Sequence, residues 1–306
     1  MAIRIRPNNE NKIFGFQYTE IKNWNLPSCD VYQLHNGQSL FVIHNEYVFS
    51  KQAIRQFNQD LDTYKKLGSP YIRVPKIIEK DSQIGLLYEN FTGVPLLEYY
   101  SCASYTYSDL STHLQDLMNV LDALHQHGIF HLLHPSQLFI QEDTFVFTPS
   151  LYLLFGNKKN IFCPPETLKS IPETKQSDIY SFGLVTYRVL CGSLPWGNDV
   201  SLHDIAKMKF GLYGSFTLRE KGTHIEDGIM TIIEKMVDKS VENRWKSISQ
   251  IQNALLGKQE TYTFTYRENR MVGWNPNREG TYQQLEELSA KGFEVRWFDG
   301  ASWQLF

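Results

Sequence analysis

Between Ser50 and Leu67, apolar side chains recur at Ile54, Phe57, Leu61, Tyr64 and Leu67, three or four residues apart. That spacing puts them on one face of a helix. Upstream, HNGQSLFVI (His35 to Ile43) predicts a turn running into an apolar strand. Downstream, VPKIIEK and IGLLYEN predict two strands divided by the polar turn DSQ. Beyond Ser108 the period becomes helical and stays so. Leu110, Leu114, Leu117, Val120, Leu121 and Leu124 line one face until Gly128, a helix stop. Two short strands are predicted around Gln141 to Thr144. SDIYSFGLVTYRVLCG, HDIAKMKFG, IEDGIMTIIEKMV and SISQIQNALLG then read as helices. After Gly257 the pattern changes again. ETYTFTYRE alternates, TYQQLEELSAKG predicts a short helix stopping at Gly292, and FEVRWFDGASWQLF predicts two strands around an Asp-Gly turn.

The pattern predicts an α+β chain: a strand-rich start with one helix, a helix-rich body, and a small α+β module at the end. With 306 residues, 42% of them apolar and 21% charged, the chain has enough material for a sizeable core. A net charge of -3 gives no global attraction for nucleic acid or an anionic membrane. No apolar run approaches a membrane span, and MAIRIRPNNENK lacks an apolar signal core. Cys29, Cys102, Cys163 and Cys191 are scattered, with no CxxC pair, which fits buried thiols in a reducing compartment. The expectation is a cytoplasmic protein with no nucleic-acid or membrane partner.

Several stretches carry a specific resemblance. LHQHGIFHLLHPSQLFI (Leu124 to Ile140) resembles LHxxGIxHRDLKPxNIL, the catalytic loop of protein kinases. CPPE (Cys163 to Glu166) resembles the Ala-Pro-Glu that ends their activation segment. SDIYSFGLVTYRVLCGSLPW (Ser177 to Trp196) resembles the DxYSxGxxxxxxxxGxxPF helix, and ENRWKSISQI (Glu242 to Ile251) a late xxRxTxxxL stretch. YENFTGVPLLEY resembles the connector between lobes. Over roughly residues 15 to 257, the chain resembles a protein kinase domain. The resemblance implies a bilobal protein-kinase-like fold over 1–257, with a β-rich N-lobe at about 1–91 and an α-rich C-lobe at about 92–257. The appended module, 258–306, resembles no family. It also implies structural roles: Asp178 holding the catalytic-loop backbone, and Glu166 pairing with Arg244 as fold anchors.

The positions that carry the chemistry depart from the family. Phosphoryl transfer needs a carboxylate to take the hydroxyl proton, a carboxylate on magnesium and a lysine on the phosphates. Aligning HPSQ on the family's KPxN puts Leu132 at the catalytic base, His134 at the loop lysine and Gln137 at the magnesium-binding Asn. The Asp-Phe-Gly position falls at Pro149-Ser150-Leu151, so Pro149 stands where the second magnesium ligand belongs. No lysine occurs between Lys22 and Lys51, leaving Ile43 or His44 on the strand that should carry one. Asp60 stands at the glutamate that would pair with it. No glycine occurs between Gly15 and Gly37, where a phosphate-covering loop belongs. Only about a dozen residues, Tyr152 to Phe162, precede CPPE, which is short for a peptide platform; they include no Ser or Thr, so regulation by phosphorylation within them is not expected, Tyr152 being the one residue left for it.

These losses predict a pseudokinase: not an enzyme, with no catalytic residue, metal or cofactor, acting as a protein-binding scaffold or regulatory subunit. The alternatives are an atypical enzyme using the cleft for another transfer reaction, and a metal-independent nucleotide or small-molecule sensor. Tyr88, at the gate of the adenine pocket, and Glu89 and Phe91 in the hinge would line any residual cleft. His125, His127, His131 and His134 lie close in sequence, but helix-then-loop geometry scatters such rings, so neither zinc nor a substitute base is expected. Module 258–306 is rich in aromatics, Trp274, Trp297 and Trp303 among them, and is expected to dock on the body or on a protein partner.

Overall fold

Strands β1 (Ile3–Arg4), β2 (Lys12–Ile13), β3 (Phe16–Lys22), β4 (Cys29–Leu34), β5 (Ser39–Ile43), β6 (Lys76–Lys80) and β7 (Gln83–Tyr88) form one antiparallel sheet. Its order is β1-β3-β4-β5-β7-β6, with β2 paired to β3. The computed structural model describes residues 3–4, 12–22, 24, 26, 29–44, 51–81, 83–102, 107–130, 133–149, 161–169, 171–197, 201–209, 218, 227–255, 261–266, 269–274, 286, 289–290, 294–298 and 303–305. The chain divides into two units, Met1–Cys163 and Pro164–Phe306.

In the first unit β5 is buried along its whole length because β4 and β7 flank it, so SLFVI reads as a continuous run. Helix α1 (Lys51–Leu67) follows it in the chain. Phe57, Leu61 and Tyr64 are buried on one face, and Lys51, Arg55, Lys65 and Lys66 face water, as the sequence period demands. A second, smaller sheet has the order β10-β9-β8, from β8 (Val94–Pro95), β9 (Leu138–Gln141) and β10 (Thr144–Phe147). Glu142 and Asp143 close the β9–β10 hairpin with φ of 51° and 55°, the left-handed pair that a two-residue turn of matching twist requires. The two sheets are tied by the segment before β6: the Phe147 N–H donates to the Tyr71 carbonyl (2.7 Å), and the Arg73 N–H to the Phe147 carbonyl (2.9 Å).

Helices α2 (Leu96–Cys102) and α3 (Tyr107–Gln126) also belong to this unit. Leu110, Leu117, Leu121 and Leu124 on α3 are buried as expected. The helix stops where Gly128 turns left-handed (φ 69°), with the Gly128 N–H on the His125 carbonyl and the Ile129 N–H on the Leu124 carbonyl. Those two bonds satisfy carbonyls that the helix end would leave bare.

The second unit carries α4 (Pro165–Leu168), α5 (Lys175–Cys191), α6 (Leu202–Lys209), α7 (Asp227–Met236) and α8 (Ile248–Leu255). Helix α5 is buried without a break from Ser177 through Tyr187 and forms the unit's centre. Gly183 lets the end of α7 approach: a Cβ there would lie 2.7 Å from Val237 Cγ1 and 2.8 Å from Met236 Cβ. A four-stranded antiparallel sheet closes the chain, in the order β12-β11-β13-β14, from β11 (Thr261–Tyr266), β12 (Asn269–Trp274), β13 (Glu294–Phe298) and β14 (Trp303–Leu305). Strand β12 is an addition to the sequence expectation: NRMVGW does not alternate, and pairing with β11 makes it a strand. It runs beside α7 within this unit. The helix expected before Gly292 and the Asp299-Gly300 turn lie largely outside the described residues. The α+β architecture read from the pattern is the one observed.

Candidate functional site

The loop resembling a catalytic loop is held from within. Residue 132, the expected base position, lies outside the described residues, as does His131. Leu133 is fully buried. His134 opens a 3-10 turn, Pro135–Gln137, and caps it: the Ser136 N–H (3.1 Å) and Ser136 hydroxyl (2.8 Å) both point at His134 Nδ1. The Gln137 side chain returns the favour, its Oε1 accepting from the His134 N–H at 2.7 Å. An Nδ1 that accepts carries no proton, so the proton sits on Nε2. Burial pushes the imidazole down to about 3, and its ring stands edge-on to Phe162 at 5.3 Å. His134 is therefore a neutral structural cap here. Its accepting nitrogen is already committed, which removes it as a proton acceptor.

Gln137, at the expected magnesium position, is buried, and Thr148 donates to its carbonyl from N–H (2.8 Å) and hydroxyl (3.3 Å). Its Nε2 is buried with no hydrogen-bond partner among the described residues. An amide whose Oε1 is already used for the loop is poorly placed to offer that oxygen to a metal, as the family's Asn does. Pro149 is buried. On β5, Ile43 is buried and His44 lies 3.4 Å from Asp30. Asp60 on α1 accepts from Gln56 at 3.1 Å. Among the described residues no group of three or more His, Cys, Asp or Glu has the geometry to hold a metal. His127 Nδ1 bonds the Ala123 carbonyl at 2.9 Å, away from the His134 cap.

The hinge residues separate. Glu89 is exposed, whereas Tyr88 and Phe91 are buried with ring centroids 5.2 Å apart. Burial raises the Tyr88 phenol well above its ordinary range. Both rings pack on Phe41 of β5, at 4.9 and 5.7 Å, and Phe91 also meets Phe139 of β9 at 5.0 Å. The Ser39 hydroxyl donates to the Phe91 carbonyl, fixing the hinge on β5. Gln141 straps it to β9: its Nε2 donates to the Asn90 carbonyl (3.1 Å) and its Oε1 accepts from the Thr92 N–H (3.2 Å). Trp24, from the connection between β3 and β4, adds a ring 6.3 Å from Phe41 and 5.9 Å from Phe139. Phe41, Phe139 and Trp24 were not anticipated at this site. The signal available was the aromatic at the centre of SLFVI and another directly after HPSQL.

In the second unit two of the expected anchors, Glu166 and Arg244, come together. Arg244 Nη1 lies 2.7 Å from Glu166 Oε1 and Nη2 2.9 Å from Oε2, a fork-to-fork pair. Ser177 donates to the same Glu166 Oε1 at 2.9 Å. Arg244 also donates from Nε to the Asp238 carbonyl (2.7 Å) and lies over the Tyr180 ring at 4.7 Å. Burial pulls the Glu166 carboxyl upward, but Arg244's bonds and charge more than offset it and hold it below the usual carboxylate range. Asp178 is buried in the first turn of α5. The Glu166–Arg244 pair, with Ser177 on the same carboxylate, thus fixes α4 against the start of α5.

Comparison with known proteins agrees with this architecture. No family profile matches the chain. A probable serine/threonine-protein kinase PknB of Lactococcus lactis is 21% identical over 266 residues, covering 78% of this chain and 42% of that protein. Two probable myosin light chain kinases of Dictyostelium discoideum are 21% and 23% identical, covering 79% and 74% of this chain and 66% and 81% of theirs. This chain thus spans less than half of the first relative's length. Among solved structures, the PknI kinase domain of Mycobacterium tuberculosis, in a single-substitution variant, superposes with a TM-score of 0.63 at 14% identity, covering 82% of this chain and 98% of that domain. The unsubstituted domain gives 0.60 at 13%.

The fold is protein-kinase-like. The names of the relatives correct the expectation that the chain is not an enzyme, because these relatives are named as protein kinases, which points to an enzyme. The physical error lay in the step from letters to loss. Leu132, His134, Gln137 and Pro149 show which positions lack the family's groups, and this does not empty the rest of the chain of acids and bases. No described helix is long and apolar enough to cross a membrane.

Proposed function

We propose that this chain is a kinase-like enzyme with a regulatory task, which engages a protein through its helical unit. The observation that carries this reading is the buried Glu166–Arg244 pair with Ser177 on the same carboxylate. Burying two charges costs nearly as much as their attraction returns, so such a pair counts for the shape it specifies more than for net stability. Here the specified shape is the end of the segment that, by resemblance, meets protein substrates. Near it in the chain, Leu168 and Ile171 are exposed, at 36% and 50%. Large apolar groups held outward on a fixed frame suit a protein partner better than a small solute.

The chemistry would differ from the family's. The His134 nitrogen that could accept a proton is committed to Ser136, and Leu132 has no acceptor, so any transfer draws its carboxylate from elsewhere. A scaffold or regulatory contribution is favoured by the packing of Tyr88 and Phe91, the gate and hinge positions, against Phe41 and Phe139. The test is phosphate incorporation into a generic protein acceptor such as casein, using purified chain with labelled ATP and magnesium. The variants Leu168→Asp and Ile171→Asp accompany it. Labelling of acceptor that both variants lower by about tenfold at unchanged melting temperature supports the reading. Absence of labelling, or labelling indifferent to both substitutions, sinks it.

A further inference from the structure

The corner of the first sheet where β3 begins and β4 ends holds a cavity of about 370 Å³. Its apolar lining is the buried Leu34 and the half-buried Phe16, which pack in one cluster with Leu40 and Val42. Its polar lining includes the exposed side chains of Lys12, His35 and Asn36. Backbone ties fix the walls. Lys12 faces Gln17 in the β2–β3 ladder, across a two-residue turn at Phe14 and Gly15 with φ of 53° and 88°. A phenylalanine in the left-handed region is costly, and Phe14 offsets that by packing on the Leu34 cluster. The His35 N–H donates to the Gln17 carbonyl at 3.2 Å, tying the β4–β5 turn to β3. Inside that turn the Leu34 N–H donates to the Gln38 carbonyl (2.8 Å), and Asn36 Oδ1 accepts from the Gln38 N–H (3.1 Å). The cavity lies at the opposite end of β4 from the β3–β4 connection, where the resemblance puts a phosphate-covering loop. That is one six-residue strand away, about 17 Å.

We propose that this corner binds a small aromatic monocarboxylate, its ring against Phe16 and Leu34 and its carboxylate on Lys12. Charge selects the head group. Among the described residues no Asp or Glu lines the cavity, and Lys12 enters no ion pair, whereas Lys22 farther along β3 is paired with Glu20 at 2.8 Å. Lys12 is the single permanent cation of the lining, which matches one carboxylate and not a phosphate dianion. Shape and polarity select the body: an aromatic side chain beside an aliphatic one offers a flat ring face and edge contacts. The volume stands at the small end of ligand sites, which span about 300–1,000 Å³, and leaves room for one ring with a short acid chain. The site goes beyond the enzyme reading and does not rest on it. It is read out by binding, so a failure of phosphate transfer leaves it standing.

The test titrates the full chain with phenylacetate by calorimetry. Lys12 is exposed, so Lys12→Ala and Lys12→Glu should fold as wild type does, which an unchanged melting temperature checks. Wild type should bind phenylacetate, Lys12→Ala should weaken it by at least about fivefold, and Lys12→Glu should weaken it further. Acetate, which lacks the ring, and 2-phenylethanol, which lacks the charge, should each bind wild type at least about tenfold more weakly than phenylacetate. No binding of phenylacetate up to about 10 mM overturns the proposal. So does equal binding to wild type and both Lys12 variants, which would put the ligand elsewhere. Acetate or inorganic phosphate binding as tightly as phenylacetate overturns it too, since the corner would then select charge alone.

Discussion

Arg244 and Glu166, 78 residues apart in sequence, meet through two parallel hydrogen bonds of 2.7 and 2.9 Å, with the guanidinium lying over Tyr180. Removing either partner leaves a charge buried without its counterpart. Arg244→Ala and Glu166→Ala are each expected to cost about 3–5 kcal/mol in urea unfolding. The double variant should cost clearly less than their sum, because it leaves neither charge stranded. Arg244→Lys should recover little, since a point charge cannot span both carboxylate oxygens. Additive losses would remove the pair as the organising contact of this unit.

Two glycines in the second unit give opposite expectations for the same chemical change. Gly183→Ala pushes a methyl to within 2.7 Å of Val237 and 2.8 Å of the Met236 Cβ, and should cost about 1–3 kcal/mol by overpacking. Gly228, in α7, meets nothing within 4 Å of an added Cβ. Gly228→Ala should stabilise by up to about 1 kcal/mol, through helix propensity and a less disordered unfolded chain. Thermal unfolding of the two variants side by side checks both signs.

His134 makes a pH prediction. Its imidazole is neutral in the fold and is pushed down to about 3, while the unfolded ring takes a proton below its ordinary 6.5. Stability from this site is therefore whole above about pH 6.5 and is lost as pH falls toward 3. His134→Asn keeps an acceptor near Nδ1 and removes the titration. Between pH 6.5 and 5 the wild type should lose about 2 kcal/mol more than the variant, which denaturant unfolding at the two pH values measures. Parallel pH curves would mean the ring is not held neutral.

Ser39→Ala strips the donor from the buried Phe91 carbonyl and should cost about 1–3 kcal/mol. Because that bond locks the hinge onto β5, the substitution should also perturb the fluorescence of Trp24, whose ring neighbour Phe41 stands two residues along the strand. A change in stability with the Trp24 signal untouched would uncouple the hinge from the aromatic cluster.

Much of the architecture was legible because burial follows period. The apolar face of α1 and the leucines of α3 were written at helical spacing, and Gly128 marked a stop that the backbone makes with a left-handed turn. The Glu166–Arg244 pair was also legible, but only through resemblance; nothing local links residues so far apart. Strand β12 was not legible, since NRMVGW takes its conformation from its neighbour β11. The aromatic cluster escaped for a related reason. Trp24, Phe41 and Phe139 come from segments far in sequence from the Tyr88–Phe91 stretch that was expected there, and their convergence on it is a property of sheet order. Reading Leu132 and Gln137 as the end of catalysis went too far, because sequence letters test positions and not the whole chain.

The turn that His134 and Gln137 build by reciprocal capping also has a kinetic consequence. The N–H groups of His134, Ser136, Gln137, Leu138 and Thr148 are all committed, to Gln137 Oε1, His134 Nδ1, and the carbonyls of His134, Pro135 and Gln137. Five amides around one short loop should thus exchange slowly with deuterated water, in a patch without a helix to protect them. The loop would be ordered before anything binds to it. Its rigidity is prepaid by two side chains, and a ligand arriving nearby would find the backbone already set.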